Sequence, residues 1–249
     1  MKNISIFALL IMGAFLVFAG SCNKDDDNNP SSNNQTIGKT TAVFNPNVSY
    51  GTMTDQDGNT YKTVTIGTQT WVAENLRTTI YNDGTAIPNV TDGDEWCDLT
   101  TGAYCNYNNT TSQDTIATFG RLYNWNAVNT GLLAPKGWHV PTYDEWETLT
   151  DYLGGEYAAG EKLKEEGTSH WYTPNEGATN ETGFTALPGG TRGNKGLFFF
   201  IGNYGYWWSA TEYDAAGTYG CIMYYNYSRV DRTFYYDKKL GLSVRCVKD

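Results

Sequence analysis

The sequence predicts an α+β domain, and three observations lead to that class. Residues 43–76 contain strand patterns and a turn, residues 119–153 contain helical patterns, and residues 197–247 return to strand patterns. Strands, then helices, then strands indicate antiparallel sheet with segregated helices rather than alternating βα units. Tyr, Trp and Phe make up 15% of the chain and charged residues 18%, which favours an extracellular, loop-rich domain over a cytosolic enzyme.

The first strands are expected soon after Val43, where the folded part is predicted to begin. The run Asp57-Gly58-Asn59 separates two Thr-rich segments and predicts a hairpin turn. The segment TYKTVTI (60–66) predicts a strand, and residues 70–72 predict a second, short strand. Residues 78–118 are polar, rich in Gly, Asn and Thr, and without a sustained period, so we predict long loops there.

Two helices are predicted in the middle of the chain. Residues 119–129 have apolar side chains at helical spacing. The helix over 142–153 has clearer signals, because Thr142 is followed by Glu145 in a capping box and Gly154 ends the apolar stripe. A short third helix is predicted over 161–166. Further strands are predicted over 197–201, 205–210, 220–227 and 242–247.

The first 21 residues have the pattern of a cleavable secretory signal. Lys2 supplies a positive start, an apolar run of about 15 residues follows over 4–18, and small residues at 19–21 precede Cys22. This run is shorter than the ~20 apolar residues that a membrane-spanning helix needs. The arrangement resembles the bacterial lipobox, in which the cysteine is acylated, for example by palmitate, and becomes the new N-terminus. We expect a signal peptide over 1–21 and lipidation of Cys22; the alternative is an ordinary signal peptide.

Residues 22–42 are predicted to be the lipidated cysteine and a disordered polar tether, because Ile37 is the one apolar side chain in 23–40. A flexible coil of about 18 residues reaches roughly 25 Å. The tether begins with one lysine and three acidic residues, Lys24, Asp25, Asp26 and Asp27. This start resembles the export signal of Bacteroidetes lipoproteins and implies an outer-membrane protein that faces the cell exterior. The alternative is a solvated acidic linker.

Four cysteines follow Cys22 in the sequence, and they are Cys97, Cys105, Cys221 and Cys246. An even number in an exported chain predicts two disulfides. Three pairings are possible, and we expect Cys97–Cys105 and Cys221–Cys246 because each pair lies within one stretch of chain. A zinc site is the alternative, but the sequence has no C-x-x-C motif and both histidines lie far from every cysteine.

Six blocks of the chain share the pattern of one domain family. They are DGNTYKTVTIGTQTWVAENL (57–76), GRLYNWNAV (120–128), PKGWHVPTYDEWETLTDYLGG (135–155), TGFTALPGG (182–190), GYWWSATE (205–212) and LSVRCVKD (242–249). In content and order they resemble the Fibrobacter succinogenes major paralogous domain family. The resemblance covers residues 51–249, implies a domain over 43–249, and implies an exported protein or lipoprotein of the Bacteroidetes type.

This family in turn resembles the C-type-lectin-like fold shared with formylglycine-generating enzymes. HVPTYDEWETL (139–149) is similar to the helix start RLPTEAEWE of those enzymes, and GLSVRCVKD (241–249) is similar to their C-terminal GFRCV strand. The resemblance implies a small twisted antiparallel sheet, two helices and long irregular loops.

The sequence contains few signs of a catalytic site. His139 lies directly before the capped helix, where we expect a structural role, and His170 lies in a polar stretch and is expected to be exposed. The motifs G-x-S-x-G and H-E-x-x-H and the P-loop are absent. Formylglycine-generating enzymes use paired reactive cysteines, whereas disulfides would leave no thiolate here. We therefore predict that the chain is not an enzyme.

No cofactor is predicted, with calcium as an open alternative. Lectins of this fold hold calcium near Glu-Pro-Asn or Gln-Pro-Asp, and neither tripeptide occurs in the chain. Asp55, Asp57 and Asn59 offer three oxygen ligands within one turn. However, Ile66 takes the place of the glutamate that ends an EF-hand loop.

The aromatic residues carry the functional prediction. Trp138, Trp146, Leu149, Leu153, Trp207 and Trp208 are expected to form a rigid scaffold. The tyrosines between Tyr213 and Tyr236 are expected to lie at the surface, because they fall in stretches punctuated by Asn, Asp and Gly. Tyr213, Tyr219 and Tyr235 are the predicted ligand-binding residues, since tyrosine offers a flat apolar area with a polar tip.

These predictions describe a non-catalytic cell-surface lipoprotein with a lectin-like domain that binds a glycan or a protein. The formal net charge of −10 gives no electrostatic reason to bind nucleic acid, and the membrane is contacted through the lipid anchor. The first alternative is a structural component of an adhesin or envelope assembly. The second is an enzyme related to formylglycine formation.

Overall fold

The computed structural model describes residues 38–232 and 235–249, and this part of the chain has the predicted α+β architecture. It contains five α-helices and thirteen strands, most of them short, in curled antiparallel sheets. The predicted signal peptide, the lipidation site Cys22 and the export signal at residues 24–27 lie outside the described residues.

The helices are α1 (Gly93–Asp98), α2 (Gln113–Phe119), α3 (Trp125–Asn129), α4 (Tyr143–Tyr152) and α5 (Glu156–Leu163). The strands are β1 (Gly51–Thr54), β2 (Thr60–Ile66), β3 (Gln69–Val72), β4 (Tyr104–Cys105), β5 (Leu122–Tyr123), β6 (Trp138–His139), β7 (Thr191–Arg192), β8 (Phe198–Phe199), β9 (Tyr204–Glu212), β10 (Gly217–Tyr224), β11 (Val230–Asp231), β12 (Tyr236–Asp237) and β13 (Val247–Lys248).

The first sheet has the order β1-β2-β3-β13-β6. Strand β2 coincides with the predicted strand TYKTVTI. Asp55 Oδ1 accepts hydrogen bonds from the backbone N–H groups of Asp57 at 3.0 Å and Asn59 at 2.9 Å, so an aspartate side chain closes the predicted hairpin turn. Val247 of β13 pairs with Trp71 of β3, so the end of the chain closes the sheet formed near its start.

The second sheet is built around the antiparallel hairpin of β9 and β10, which β11 and β12 extend. The strands predicted over 205–210 and 220–227 correspond to this hairpin, although β10 already ends at Tyr224. The register shifts between Thr218 and Gly220, where Tyr219 lies opposite residues 209–211. Such a bulge re-aims the side chains next to it.

The predicted scaffold is confirmed. Trp146, Leu149, Leu153, Trp207 and Trp208 are buried, and Trp138 is half-buried against the core. The ring of Trp146 lies 4.8 Å from that of Trp71 and 6.4 Å from that of Trp207, measured between ring centroids. The core is therefore dominated by tryptophan side chains from helix α4 and from both sheets.

Helix α4 is confirmed together with its start signal. The Thr142 hydroxyl accepts a hydrogen bond from the Glu145 N–H, and the Glu145 carboxylate accepts one from the Thr142 N–H at 2.8 Å. This reciprocal pair satisfies two N–H groups that the first turn would otherwise leave unpaired. The third predicted helix exists as α5, but it begins earlier, directly after Gly155.

The helix predicted over 119–129 is wrong. Helix α2 ends at Phe119, because Gly120 adopts a φ of 74° that a right-handed helix cannot contain. Strand β5 follows, and α3 starts anew after Asn124, whose side chain accepts a hydrogen bond from the Ala127 N–H at 3.1 Å. The apolar side chains at helical spacing thus belong to three separate elements.

The prediction of loops over 78–118 missed α1 and α2. Each helix starts at a capping residue that the sequence displays. Asp92 Oδ1 accepts hydrogen bonds from two backbone N–H groups of α1, and Ser112 Oγ accepts one from Thr115 N–H at 3.3 Å. Both helices are short, with six and seven residues, so their apolar periodicity is too brief to recognise.

Buried cations tie the long loops to the core through main-chain carbonyls. The Arg192 guanidinium is fully buried and donates to the carbonyls of Val90 at 2.6 Å, Thr91 and Asp92. Lys164 is buried in the same way and donates to three carbonyls, those of Glu176, Tyr224 and Tyr227 at 2.9–3.0 Å. Each cation donates its hydrogen bonds to main-chain carbonyls, most of which lie in segments with little regular structure.

The predicted disulfides are not confirmed, because Cys97, Cys105, Cys221 and Cys246 are all free in the structure. Cys221 packs in the cluster around Trp146, whereas Cys246 packs in the cluster around Trp208. Burial raises the pKa of the Cys105 thiol to about 12 and also raises the pKa values of Cys221 and Cys246. These three thiols therefore behave as small apolar core groups.

Candidate binding surface

The three tyrosines predicted to bind a ligand come together in the structure. The ring centroid of Tyr213 lies 5.2 Å from that of Tyr219 and 5.7 Å from that of Tyr235, with nearly perpendicular planes in both cases. Tyr143, the first residue of α4, extends the group, since its ring lies 4.7 Å from Tyr219. We call these four residues the tyrosine surface. Its members come from α4, the β9–β10 connection, β10 and the segment before β12.

The rings of the tyrosine surface are available for contact to different degrees. Tyr213 is 57% exposed and Tyr235 is 50% exposed, whereas Tyr143 and Tyr219 are half-buried beneath them. Tyr143 packs against Tyr219, Tyr219 packs against Tyr213, and Tyr213 packs against Tyr235, so the exposed rings rest on a continuous series of ring contacts. Perpendicular ring pairs are a favourable aromatic geometry and stabilise such an arrangement.

The connection between β9 and β10 is fixed by the side chain of Asp214. Its Oδ1 accepts hydrogen bonds from the N–H groups of Ala216 at 2.8 Å and Gly217 at 2.9 Å. These bonds lower the pKa of the Asp214 carboxyl. The Lys238 ammonium donates to the carbonyls of Asp214 at 2.8 Å and Ala215 at 3.0 Å from the other side. The loop that carries Tyr213 is therefore held by its own Asp214 and by Lys238, the residue directly after β12.

Gly217 provides the space in which Tyr235 lies. A Cβ atom at Gly217 would stand 2.1 Å from the Tyr235 ring, far closer than two non-bonded carbon atoms can approach. The hydroxyl of Tyr235 lies 3.4 Å from Asp214 Oδ1. A glycine and an aspartate in the same turn thus position the most C-terminal ring of the surface.

A cleft of about 440 Å³ begins beside the Tyr235 ring. Its walls include the charged side chains of Asp237, Lys238 and Lys239, together with residues 99–100 at the end of α1. Ligand pockets commonly have volumes of about 300–1,000 Å³ and combine apolar walls with a few polar groups. The tyrosine surface and this cleft together offer ring faces and charges of both signs.

A larger cleft of about 610 Å³ lies between residues 48–51, strand β2 and the end of α4. Among its lining residues Glu181 is the one charged group and Tyr152 the one aromatic group. We favour the smaller cleft as the binding site, because it adjoins several exposed rings and several charges rather than one of each.

The other tyrosines of the C-terminal segment have mixed positions. Tyr227 is 52% exposed, and Tyr224 and Tyr225 are half-buried. The expectation of a surface position is wrong for Tyr236, which is buried at 7% exposure. Tyr236 lies on the face of the second sheet that covers Trp208, with 6.3 Å between the ring centroids, and so belongs to the core.

The two histidines have structural partners. His139 Nδ1 and Nε2 lie 2.7 Å from Asp249 Oδ1 and Glu145 Oε1, respectively. Burial lowers the pKa of His139, but the hydrogen bonds to Asp249 and Glu145 outweigh it, and the pKa is raised above its ordinary value. The imidazole thereby links the C-terminal residue to the start of α4, in agreement with the structural role predicted for it.

The expected exposure of His170 is wrong, because 90% of its side-chain surface is covered. His170 Nδ1 lies 2.8 Å from Glu165 Oε2, and Nε2 lies 2.9 Å from Thr41 Oγ1. The Thr41 hydroxyl also meets Thr118 Oγ1 at 3.1 Å, and Glu165 accepts a hydrogen bond from the Val43 N–H. This network fastens residues 41–43 to the domain.

In the turn considered as a calcium site, three of the four carboxylate oxygens of Asp55 and Asp57 accept hydrogen bonds, and Asp57 Oδ1 is buried without a partner. Asp55 accepts hydrogen bonds from Asn59 Nδ2 at 3.0 Å and from the Tyr61 hydroxyl at 2.6 Å, besides those that close the turn. Asp57 Oδ2 accepts a hydrogen bond from the Thr79 hydroxyl at 2.9 Å. In the ranges 38–232 and 235–249, no group of three His, Cys, Asp or Glu side chains is arranged to hold a metal ion.

Comparison with known proteins gives one result. The family model of the Fibrobacter succinogenes major domain matches residues 64–248. The searches of curated proteins and of solved structures returned no match. The helices in the described part of the chain are all too short or too polar to cross a membrane.

Proposed function

The chain belongs to the Fibrobacter succinogenes major domain family, and on that premise we propose that it is the non-catalytic, lectin-like binding domain of a cell-surface lipoprotein. The observation that carries the proposal is the convergence of Tyr213, Tyr219 and Tyr235 on one exposed surface. These residues are separated in the sequence, and the core does not need Tyr213 or Tyr235, which are half-exposed. The proposed ligand is a glycan, with a protein as the second candidate.

The chemistry of the tyrosine surface suits a glycan. The ring faces of Tyr213 and Tyr235 match the apolar C–H faces of pyranose rings, and their hydroxyls can exchange hydrogen bonds with sugar hydroxyls. Asp237 and Lys239 in the adjoining cleft add an acceptor and a donor for further hydroxyls. Because the neighbouring rings pack against one another, binding would order few additional side chains.

A C-type-lectin-like fold is part of the proposal. Small antiparallel sheets, helices beside them and long loops between them are the features that such a fold would require. The pairing of β13 with β3 also supports it, since the last strand returns to the strands that open the domain. In this arrangement, long loops with binding residues rest on a rigid scaffold.

The lipoprotein part of the proposal rests on the sequence. The signal pattern before Cys22 and the acidic run after Lys24 support an outer-membrane protein with its domain outside the cell. Added protease should then digest the domain on intact cells. Alanine at all four positions from Lys24 to Asp27 should protect it inside the periplasm, and equal digestion of both proteins would contradict the export signal.

A glycan array with and without calcium tests the binding proposal. We expect saturable retention of the wild type on a restricted set of glycans, and a loss of at least about tenfold in affinity for Tyr213→Ser and Tyr235→Ser. Tyr152→Ser is the matched control, since Tyr152 is an exposed tyrosine, 66% accessible, outside the tyrosine surface. Equal binding by all four proteins would exclude this surface. Absence of glycan retention, together with self-association or a copurifying protein, would favour the structural assembly role.

A further inference from the structure

Residues 197–201, which we call the apolar turn, comprise strand β8 with one residue before it and two after it. None of them belongs to the tyrosine surface. Residues 197–201 read Leu-Phe-Phe-Phe-Ile, and Lys195 is the one charged residue between 193 and 203. Leu197 is 62% exposed, Phe199 42% and Phe200 47%. Large apolar side chains gathered at one exposed place mark an interaction site more often than chance scatter does.

Contacts of Phe198 and Arg192 with the core fix the orientation of the hairpin, so the exposure of its other side follows from the fold. Phe198 turns inward, with its ring centroid 5.4 Å from that of Tyr107 and 5.0 Å from the buried Arg192 guanidinium. Arg192 in turn is bonded to the carbonyls of residues 90–92. Alternation along β8 then directs Phe199 to the opposite side, toward solvent.

Phe200 adopts an unusual backbone conformation, and its half-exposed ring lies 5.0 Å from the Tyr204 ring between centroids. Its φ is 70°, in the left-handed region that bulky residues rarely adopt. The turn is closed by hydrogen bonds from the N–H groups of Asn203 and Tyr204, both 3.0 Å from the Phe200 carbonyl. Asn or Gly would fit this conformation better than Phe does. A phenylalanine at a position that disfavours it suggests that the ring itself is required.

The apolar turn is linked to the first described residues of the chain through residues 170–172. Thr41, one of those first residues, contacts His170 at 2.9 Å. Two residues further along, Tyr172 donates its N–H to the Gly202 carbonyl at 2.8 Å and covers Gly202 with its ring. Two residues span at most about 7 Å of chain. The first described residues of the chain are therefore attached to segment 170–172, which also covers Gly202, two residues after Phe200.

From these positions we infer that Leu197, Phe199 and Phe200 insert into the outer layer of the bilayer that carries the lipid anchor. The inference deepens the proposed lipoprotein function and rests on it for the location of the membrane. Fifteen residues, 23–37, separate the predicted lipidated Cys22 from Gly38, and a flexible chain of that length would have a root-mean-square end-to-end distance of roughly 20 Å. Tyr172 and Tyr204 beside the turn would lie at the headgroup level, where tyrosine is favoured.

The lipid surface fits this turn better than a glycan does. Phenylalanine and leucine have no polar tip with which to recognise hydroxyl groups, whereas the tyrosine surface has several. The chain has a formal net charge of −10, so attraction to anionic lipids cannot supply the binding free energy. Binding should come from burial of apolar side chains and should respond little to salt.

Vesicle sedimentation with the unlipidated mature chain, which begins at residue 22 and carries Cys22→Ser, tests the inference separately from lipidation. We expect measurable partition onto phosphatidylcholine vesicles that is equal at low and high salt. Phe199→Ser and Phe200→Asn should each weaken partition about tenfold. Phe200→Asn also suits the left-handed backbone, so the domain should remain folded by thermal melting. Tyr152→Ser is the control and should bind as the wild type does.

Three outcomes would overturn the inference: no partition of the folded wild type at high lipid concentration, equal partition of all variants, or binding that requires anionic lipid and disappears in salt. Glycan retention by Phe200→Asn should equal that of the wild type. If the protein does not bind vesicles but still retains glycans, the inferred membrane contact is wrong and the proposed binding function still stands.

Discussion

Trp207 and Trp208 are adjacent in strand β9, yet their indole rings are buried in two different apolar clusters. Trp207 Nε1 donates to Asn75 Oδ1 at 2.9 Å, and Trp208 Nε1 donates to the Tyr123 carbonyl at 2.6 Å. Successive side chains of a strand point to opposite faces, so the β9–β10 sheet separates the two clusters and belongs to both. Damage to this strand therefore affects the whole domain.

Truncation of a buried tryptophan should destabilise the domain far more than truncation of an exposed tyrosine. Trp207→Ala and Trp146→Ala should each lower the free energy of unfolding by about 3–5 kcal/mol, because a large cavity remains. Tyr213→Ala should cost less than about 1 kcal/mol. Urea denaturation measures all three. Equal losses for Tyr213 and Trp207 would place the tyrosine surface in the core and remove its proposed role.

Gly217→Ala should reduce ligand binding although every tyrosine is retained. The added methyl group overlaps the Tyr235 ring, which is exposed and can move away at low cost. We expect a binding loss close to that of Tyr235→Ser, with stability changed by less than about 1 kcal/mol. Gly93→Ala is the control, since a Cβ there meets its nearest atom at an ordinary 3.7 Å. Unchanged binding in Gly217→Ala would mean that the ring position does not matter.

His139 should make stability depend on pH in a defined direction. Its folded-state pKa is raised, so the protonated form is stabilised in the folded protein. This contribution is fully present below the unfolded pKa of about 6.5 and is lost as the pH rises through the higher folded value. His139→Gln should thus destabilise the domain at about pH 5.5, by less than about 1 kcal/mol for so exposed a group. Melting curves near pH 8.5 should differ less, and a larger effect there would contradict the assignment.

The thiols should differ sharply in reactivity. Cys97 is half-buried, whereas Cys105, Cys221 and Cys246 are buried, and burial raises the pKa of all three. At pH 8 we expect iodoacetamide to modify Cys97 first and the other three after unfolding. Peptide mapping of the protein taken directly from its native compartment gives the measurement. Two disulfides in that sample would support the pairing predicted from the sequence over the free thiols of the structure.

The lipid anchor should decide where the protein fractionates. Cys22→Ala removes the acylated thiol, so the protein should move from the membrane fraction to the soluble fraction. Three exposed apolar side chains on one turn give weak, reversible binding compared with several acyl chains. Retention of the variant in washed membranes would contradict lipidation at this residue.

Local signals in the sequence predicted those elements that depend on neighbouring residues alone. The capping box of Thr142 and Glu145 and the alternation of TYKTVTI gave α4 and β2 correctly, because each relies on contacts within a few residues. The prediction of one helix across Gly120 was wrong for a related reason. Apolar spacing was counted across a glycine whose left-handed conformation ends α2.

The candidate site shows what the sequence could not predict, namely which tyrosines face the surface. The sequence selected Tyr213, Tyr219 and Tyr235 by composition, and it placed Tyr236 with them although Tyr236 is buried. A strand alternates inward and outward side chains, and only its pairing partner decides which set faces the core. Tyr143 was missed as a neighbour because it lies 70 residues or more from the other three rings.

The sequence by itself determined the α+β class, the family, the tryptophan scaffold and the start of α4, since hydrophobic pattern and capping are properties of short segments. Tertiary structure alone decided which tyrosines meet, that Arg192 and Lys164 are buried under main-chain carbonyls, and that Phe199 and Phe200 remain exposed. The physical reason is distance along the chain. Burial and contact between residues far apart depend on how the sheets and loops pack, and no local pattern records that packing.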